Sequence, residues 1–284
     1  MYLYNPIWTV LAHPINNTAN NCHLNALLQC LLSLSQFNEA MVAGHDIVSK
    51  KYCNYLRRNT SNGQEMLDLI YSELKKQNKH PLFTIKNQPK DAMETFLMFL
   101  ECIPQKLTDS LFSHVYAKHV YCGHCGNKAI LSTKESNPFF HVTNALVANQ
   151  VGLSRYIVEH QLEHDNNYSC SICSNKDKQV HIARLEKLPP LLILVTNGSV
   201  LTTKVTVPDF LHFDLFNDKY KYKCVAQLFY CNGPISGHYY SVCLRRGIWV
   251  QCNDSAISKL SKKKICNNAY ATFYSLVRVK NGIK

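Results

Sequence analysis

Helical spacing dominates the apolar positions in the N-terminal third of the chain. Five leucines follow the spacing i, i+3, i+4, i+7 that places side chains on one helix face: Leu24, Leu27, Leu28, Leu31 and Leu34. This spacing predicts an amphipathic helix over about 22–35, with Asn20 and Asn21 as suitable N-cap residues. The segments 64–77 and 91–103 are also apolar on one face and contain no Gly or Pro, so they predict two more helices.

The pattern changes after about Phe112. β-Branched and aromatic residues now cluster in short runs that predict strands: 114–122, 205–216, 224–231, 239–246 and 271–279. One helix, near Leu153 to Leu162, is expected to interrupt them. Because no internal repeat or low-complexity linker divides the chain, we predict one α+β domain over 1–284. It should be mainly helical over about 1–111 and rich in sheet over about 112–284.

Composition supports a folded protein inside the cell. Of the 284 residues, 46% are hydrophobic and 18% are charged, which is typical of a globular chain. The N-terminus lacks a basic leader, and no apolar run reaches the roughly 18 residues of a membrane span, so we expect no membrane association. A cytoplasmic or nuclear location follows. In that reducing environment, the thirteen cysteines indicate metal ligands, a reactive thiol and buried residues rather than disulfides.

The chain is strongly basic, with a formal net charge of +12. Such a charge suits nucleic acid or an acidic partner surface. The one dense run, Lys259 to Lys264, is interpreted as a solvated loop, because charge runs usually are.

Cys22 lies at the first turn of the first predicted helix. The positive end of a helix dipole favours thiolate, the form of cysteine that attacks a carbonyl. Taken alone, a cysteine at a helix start is more often a buried structural residue, because free Cys is among the most buried residue types.

A predicted hairpin over 237–254 carries a second candidate group. Its turn is expected at Arg246 and Gly247, which brings Asn253 back near His238. A histidine oriented by an amide is the base half of a Cys, His, Asn triad. The alternative is a structural histidine in the sheet that is hydrogen-bonded to a neighbouring residue and has no catalytic role.

Two CxxC knuckles form the most specific chemical signal in the sequence. Cys122 and Cys125 form the first pair, and Cys170 and Cys173 form the second. Four thiolates with this spacing are typical of a structural Zn²⁺ site, and the metal is expected to clamp an inserted β-ribbon. Disulfides or chance pairing are the alternatives. His124 and His181 are possible substitute ligands, but we expect the four cysteines to bind the metal.

Six elements between Asn17 and Tyr274 together resemble the ubiquitin-specific proteases, the papain-like deubiquitinases. Residues 17–29 resemble the family's Cys-box, roughly NxGNTCYxNxxLQ, and GHY at 237–239, Trp249 and ND at 253–254 resemble its His-box. The other four elements also follow in the family's order: DAME at 91–94, the two knuckles, LPPLLILV at 188–195 and AYATFY at 269–274.

This resemblance implies a papain-like fold in which a helical thumb, a β-sheet palm and zinc-clipped β fingers surround a catalytic cleft. Cys22 would attack the carbonyl of the C-terminal glycine of ubiquitin, while His238 would take the thiol proton and pass it to the leaving amine. Asn253, assisted by Asp254, would orient His238, and Asn17 would donate to the oxyanion. The implied partners are ubiquitin or a ubiquitin-like modifier and its protein conjugates.

Several positions depart from the family pattern. Ala19 and Asn21 replace the usual Gly and Thr before the nucleophile, His23 replaces an aromatic residue, and LVTNGS at 194–199 replaces the LKRF segment. The leading interpretation is a thiol-dependent deubiquitinase. A protease for another ubiquitin-like modifier or an inactive scaffold of the same fold is the alternative, and a zinc-ribbon nucleic-acid protein is disfavoured because few basic residues flank the knuckles.

Overall fold

The computed structural model describes residues 12–78, 91–142, 150–161, 168–196, 207–215, 218–232, 237–261 and 269–280. In these ranges the helices are α1 (Cys22–Leu31), α2 (Ser35–Ala43), α3 (Ile47–Leu56), α4 (Gly63–Lys76), α5 (Ala92–Glu101), α6 (Gln105–Leu111) and α7 (Gln150–Val158). The strands are β1 (His114–Cys122), β2 (Lys128–Asn137), β3 (Phe140–His141), β4 (Glu159–Gln161), β5 (Gln179–Lys187), β6 (Leu191–Val195), β7 (Phe210–Leu215), β8 (Asp218–Asn232), β9 (Gly237–Arg245), β10 (Ile248–Asn253), β11 (Ala256–Lys259) and β12 (Ala271–Lys280).

The helices α1 to α6 form the thumb. The predicted helices correspond to α1, α4, α5 and α7, although α7 begins earlier than predicted and gives way to β4 at Glu159; Leu162 lies outside the described residues. Helices α2, α3 and α6 were not predicted from the sequence. These helices are short, and α3 depends on a local N-cap, because the Asp46 side chain accepts a hydrogen bond from the Ser49 N–H.

Helix α1 differs from the predicted amphipathic helix because nearly all of its surface is buried. Four of the five leucines lie on α1, and the fifth, Leu34, precedes α2; all five are fully buried as predicted. The polar residues His23, Asn25 and Gln29 of α1 are at most 2% exposed. The helix lies between α4 and α5 on one side and β8, β9 and β10 on the other. Asn21 is the N-cap residue, yet its side chain makes no capping hydrogen bond, so the predicted cap is correct in position only.

The palm is an eight-stranded sheet of order β11-β10-β9-β8-β12-β6-β3, with β7 paired to β8. The predicted hairpin is present as β9 and β10, and Arg246 and Gly247 form its turn with φ angles of 49° and 80°. Alternate residues of β6 face opposite sides of the sheet. Ile193 packs with the thumb core, whereas Leu192 and Leu194 pack on the other face against a second core that includes α7.

The fingers are a four-stranded sheet of order β2-β1-β5-β4. One knuckle joins β1 to β2, and the other directly precedes β5. Of the basic run 259–264, Lys259 is exposed at the end of β11, and 262–264 lie outside the described residues. Within the described ranges, no helix combines the length and the apolar character needed to cross a membrane.

Candidate active site and metal centre

His238 and Asn253 meet across the palm hairpin. His238 is the second residue of β9 and Asn253 is the last residue of β10, so the antiparallel pairing of these strands brings the two together. The His238 Nε2 atom lies 2.6 Å from Asn253 Oδ1. An amide oxygen accepts only, so this contact fixes the proton on Nε2 and leaves Nδ1 with its lone pair.

Cys22 is the first residue of α1 and is half-buried. Burial raises the pKa of its thiol, and the nearby Asp254 carboxylate raises it further, while a hydrogen bond from the backbone N–H of Tyr239 lowers it. The N–H groups at the helix start lower the pKa, in the direction expected from the sequence, but burial outweighs them, so the pKa of the thiol is raised overall. The contact with Tyr239 places the thiol beside the residue that follows His238.

Asp254 joins the hairpin to the segment around the thiol. Its backbone has a φ of 51°, and its carbonyl accepts a hydrogen bond of 3.2 Å from the Ile15 N–H. Its carboxylate accepts one hydrogen bond of 2.7 Å from Asn25 Nδ2 and another of 3.1 Å from Asn17 Nδ2. The oxygen that accepts from Asn17, Oδ2, also lies 3.8 Å from His238 Nε2. One side chain thus contacts the base and two polar residues near the thiol.

Asn17 has both ends of its side chain engaged. Its Oδ1 accepts a hydrogen bond of 3.0 Å from the Asn21 N–H, and its Nδ2 donates to Asp254. The amide carries two N–H groups, so one remains for another acceptor after the bond to Asp254 is made.

Asn25 belongs to the Cys-box motif, but no role was predicted for it from the sequence. Asn25 is 1% exposed on α1, and its Nδ2 approaches Asp254 more closely than it approaches the carbonyls of Ile15 and Asn16, at 3.4 and 3.3 Å. A Cβ added at Gly63 would lie 1.9 Å from Asn25 Oδ1, so the start of α4 packs directly against the Asn25 side chain. The position of Asn25, a polar residue among the leucines of α1, is the sequence feature that could have indicated a structural role.

Asp91 makes a second link between thumb and palm. Its Oδ1 caps α5 by accepting hydrogen bonds from the backbone of Met93 and Glu94. Its Oδ2 accepts hydrogen bonds from the hydroxyls of Tyr239 and Tyr270. The side chain that begins α5 therefore also holds the strand that carries His238.

Cys231 places a second thiol near the candidate base. It pairs directly with His238 in the β8–β9 register, and it is exposed. Directly paired residues have their side chains on the same face of a sheet. Any reagent aimed at Cys22 must therefore be tested against Cys231 as well.

The four knuckle cysteines come together as one cluster. The sulfurs of Cys122, Cys125, Cys170 and Cys173 all lie within 4.8 Å of one another. Cys122 and Cys170 are buried, and the backbone N–H groups of the knuckle turns lower the pKa of both, to about 6 for Cys170. Four sulfur atoms this close together fit a metal ion that prefers four sulfur ligands.

The two histidines considered as substitute ligands are not part of this cluster. Among the described residues, the cysteines alone form a group able to hold a metal ion. His181 lies on β5, where it is buried, and His124 is exposed in the first knuckle.

Comparison with known proteins identifies the family. The family model described as "Ubiquitin carboxyl-terminal hydrolase" matches residues 14–274, so the chain belongs to that family. The chain is 23% identical to Ubiquitin carboxyl-terminal hydrolase 17-like protein C of Mus musculus, over 92% of this chain and 54% of that protein. It is 22% identical to Ubiquitin carboxyl-terminal hydrolase 26 of Arabidopsis thaliana, over 90% of this chain and 27% of that protein. The chain thus spans about half the length, or less, of these curated relatives.

Solved structures show the same fold. A chain of the SAGA DUB module Ubp8/Sgf11/Sus1/Sgf73 bound to monoubiquitin superposes with a TM-score of 0.77 at 17% identity, covering 99% of this chain and 72% of that one. The module bound to ubiquitin aldehyde gives a TM-score of 0.74 at 16% identity, with 99% and 72% covered. The predicted α+β fold of thumb, palm and fingers is confirmed.

Proposed function

We propose that this chain is a thiol-dependent deubiquitinase that hydrolyses the isopeptide or peptide bond after the C-terminal glycine of ubiquitin. The observation that carries the proposal is the pairing of His238 with Asn253 beside the helix start that bears Cys22, in a member of the ubiquitin carboxyl-terminal hydrolase family. Relatives and neighbours are named for ubiquitin hydrolysis or for bound ubiquitin, which supports ubiquitin as the substrate.

In the proposed mechanism, Cys22 is the nucleophile and His238 is the general base. The Cys22 thiol is protonated at rest because burial raises its pKa. His238 therefore takes the thiol proton through Nδ1 as sulfur attacks the carbonyl carbon, and it returns that proton to the leaving amine. Asn253 holds the imidazole in this tautomer, and water then hydrolyses the thioester with His238 again as base.

Asn17 and Asp254 complete the proposed site. The second N–H of Asn17 Nδ2 would donate to the oxyanion, together with backbone N–H groups of the Cys22 turn. Asp254 is a positioning residue in this proposal, because it bonds Asn17 and also lies beside His238.

We infer that the metal at the cysteine cluster is Zn²⁺. Cys122, Cys125, Cys170 and Cys173 would hold it, and when bound it would supply a cross-link between two knuckles that are 45 or more positions apart. The role is structural. The cluster lies at the end of the fingers strand β1, whereas the thiol and base lie on the thumb and palm.

We further propose that 1–284 form one catalytic domain that acts inside the cell, in the cytoplasm or the nucleus. The proposed partners are ubiquitin, or a ubiquitin-like modifier, and its protein conjugates. Membrane binding is not part of the proposal, and nucleic acid is a disfavoured partner.

A scaffold that binds ubiquitin without cleaving it is the second candidate. Two observations favour it: the Cys22 thiol has a raised pKa, and Asp254 already occupies one N–H of the candidate oxyanion donor Asn17. The intact pair of His238 and Asn253 favours the enzyme, because a scaffold has no need of an oriented base.

Hydrolysis of a fluorogenic amide at the C-terminus of ubiquitin tests the proposal. We expect the wild-type chain to release the fluorophore, Cys22→Ala to abolish turnover, and His238→Ala to lower kcat/KM by about 100-fold or more. Cys102→Ala is the matched control, since this half-buried thiol lies on the thumb outside the site. Its activity should equal that of the wild type.

Parallel reporters built on other ubiquitin-like modifiers separate specificity from mechanism. Cleavage of only a different reporter would refute ubiquitin as the substrate and keep the thiol mechanism. Full turnover by Cys22→Ala would refute the mechanism, and binding of ubiquitin without any turnover would favour the scaffold.

A further inference from the structure

A groove on the thumb lies outside the candidate active site. It has a volume of about 560 Å³ and is lined by the end of α2, one face of α3 and the first half of α4. Val42, Ile47 and Leu69 form its apolar wall, and the Ile47 side chain is 53% exposed. A bulky aliphatic side chain at such exposure is free to bury more surface against a partner.

The face of α3 that lines this groove carries a regular stripe. Ile47, Lys50, Asn54 and Arg57 are spaced i, i+3, i+7 and i+10, so they share one side of the helix. The stripe places one apolar residue and two cations in line along the groove. A helical or extended peptide that runs along α3 would meet them in turn.

The groove is positively charged. Three of its residues are cations, Lys50, Lys51 and Arg57, and one is a carboxylate, Glu65. Lys51 and Glu65 form an ion pair and so offset each other. Lys50 and Arg57 are exposed, and neither forms an ion pair with any residue that the structure describes. Two cations that have no ion-pair partner in the described part of the chain thus flank an aliphatic wall.

We propose that this thumb groove binds a short acidic peptide segment of a partner protein. A bulky aliphatic side chain of the peptide would pack against Val42, Ile47 and Leu69, while its carboxylates would face Lys50 and Arg57. The volume lies within the roughly 300–1,000 Å³ of ligand clefts. Grooves between helices accept amphipathic segments in this way. The proposal does not depend on the proposed hydrolase activity, because no candidate catalytic residue lines the groove.

Charge complementarity selects this occupant over two others. A second copy of the chain would bring together two molecules with a formal charge of +12 each, which repel. Single-stranded nucleic acid stacks its bases on aromatic side chains, and the described residues that line the groove include none. An acidic peptide with aliphatic residues satisfies both the cations and the apolar wall.

Fluorescence polarisation with the labelled peptide EDLLEELFEDLL tests the proposal on the full chain. We expect saturable binding that weakens as salt is raised, because ion pairs on the surface are screened. Ile47→Ser should lower the affinity about tenfold, and the double variant Lys50→Glu with Arg57→Glu should lower it about tenfold or more. These side chains are exposed, so the melting temperature should stay near that of the wild type.

Matched controls locate the binding. Ile248→Ser removes an equally aliphatic side chain that is 41% exposed on β10, and Lys106→Glu reverses an exposed charge on α6. Both should bind the peptide like the wild type. The peptide KKLLKKLFKKLL and a labelled oligonucleotide should bind at least tenfold more weakly. No binding of the acidic peptide below about 100 µM, equal loss in the control variants, or preference for the basic peptide or the oligonucleotide would each overturn the proposal.

Discussion

Removing the Asn25 side chain should uncouple helix α1 from the hairpin that carries His238. Asn25 is buried and donates a hydrogen bond of 2.7 Å to the Asp254 carboxylate. A hydrogen bond to a charged group contributes about 1.5–3 kcal/mol to stability. We therefore expect Asn25→Ala to lower the free energy of unfolding by about 2–3 kcal/mol, most of it through the lost bond to Asp254.

A double-mutant cycle isolates this contribution. Asp254→Gly is the suitable partner substitution, because the φ of 51° at Asp254 is a conformation that glycine adopts without strain. Urea unfolding, followed by tryptophan fluorescence, gives the free energies of the two single variants and the double variant. We expect a coupling energy of about 1.5–3 kcal/mol between Asn25 and Asp254.

The same cycle has a functional readout. If the hydrogen bond between Asn25 and Asp254 helps to position His238, Asn25→Ala should lower kcat/KM on the ubiquitin reporter by about tenfold or more. A loss of about 1.4 kcal/mol corresponds to a factor of ten. The control pair combines Asp254→Gly with Asn54→Ala, a residue of α3 that does not bond Asp254, and it should couple by less than about 0.5 kcal/mol. A coupling for Asn25 that is equally small would refute the claim that Asp254 joins the two elements.

Three further predictions concern the β9–β10 hairpin, the metal, and His114 at the start of the fingers strand β1. Gly237→Ala should lower kcat/KM and cost about 1–3 kcal/mol of stability, because the new Cβ would lie 1.8 Å from the Tyr230 hydroxyl oxygen; thermal unfolding and reporter kinetics measure both. The chain should contain about one Zn²⁺ by elemental analysis, and Cys170→Ser should lose the metal and weaken ubiquitin binding. Burial lowers the pKa of His114 to about 3, so only the unfolded state takes up its proton as the pH falls below about 6.5. Stability should therefore fall by about 2–3 kcal/mol between about pH 6.5 and 4.5, as measured by urea unfolding at each pH.

For each of these three predictions, one outcome would contradict the reasoning. Wild-type activity in Gly237→Ala would mean that Tyr230 moves away without consequence for the site. Retention of zinc by Cys170→Ser, with Cys53→Ser as the thiol control, would refute the four-cysteine centre. His114→Gln should remove part of the acid-induced loss, and an unchanged pH profile in this variant would assign the loss to other groups.

Much of the fold follows from local patterns in the sequence. The leucine spacing of α1 and the alternating or continuous apolar runs of β6, β9 and β12 predict these elements because burial imposes a period on them. Helices α2, α3 and α6 escaped prediction because they have only 9, 10 and 7 residues, too few to establish a helical period of apolar positions. In these helices tertiary packing decides the structure, as in α3, where Tyr52 is fully buried and bonds Asn38.

The candidate site was predictable in its residues but not in its connections. Sequence motifs indicated Cys22, His238 and Asn253, and the hairpin turn placed the last two together. The hydrogen bonds from Asn17 and Asn25 to Asp254 depend on a positive φ angle at Asp254 and on the approach of segments more than 200 positions apart. No local sequence pattern encodes either feature. The pKa of Cys22 likewise depends on burial between thumb and palm, which outweighs the N–H groups of the helix start, and no local pattern encodes that burial.

The most direct test of the account is covalent labelling by a ubiquitin probe with a thiol-reactive group at its C-terminus, followed by mass spectrometry of the modified peptide. The account predicts an adduct on Cys22 that is lost in Cys22→Ala and retained in Cys231→Ser, the exposed thiol that pairs with His238. Probes built on other ubiquitin-like modifiers should react more slowly. An adduct on Cys231 alone, or no adduct on a folded, zinc-loaded chain, would contradict the central claim that Cys22 is the nucleophile of a deubiquitinase.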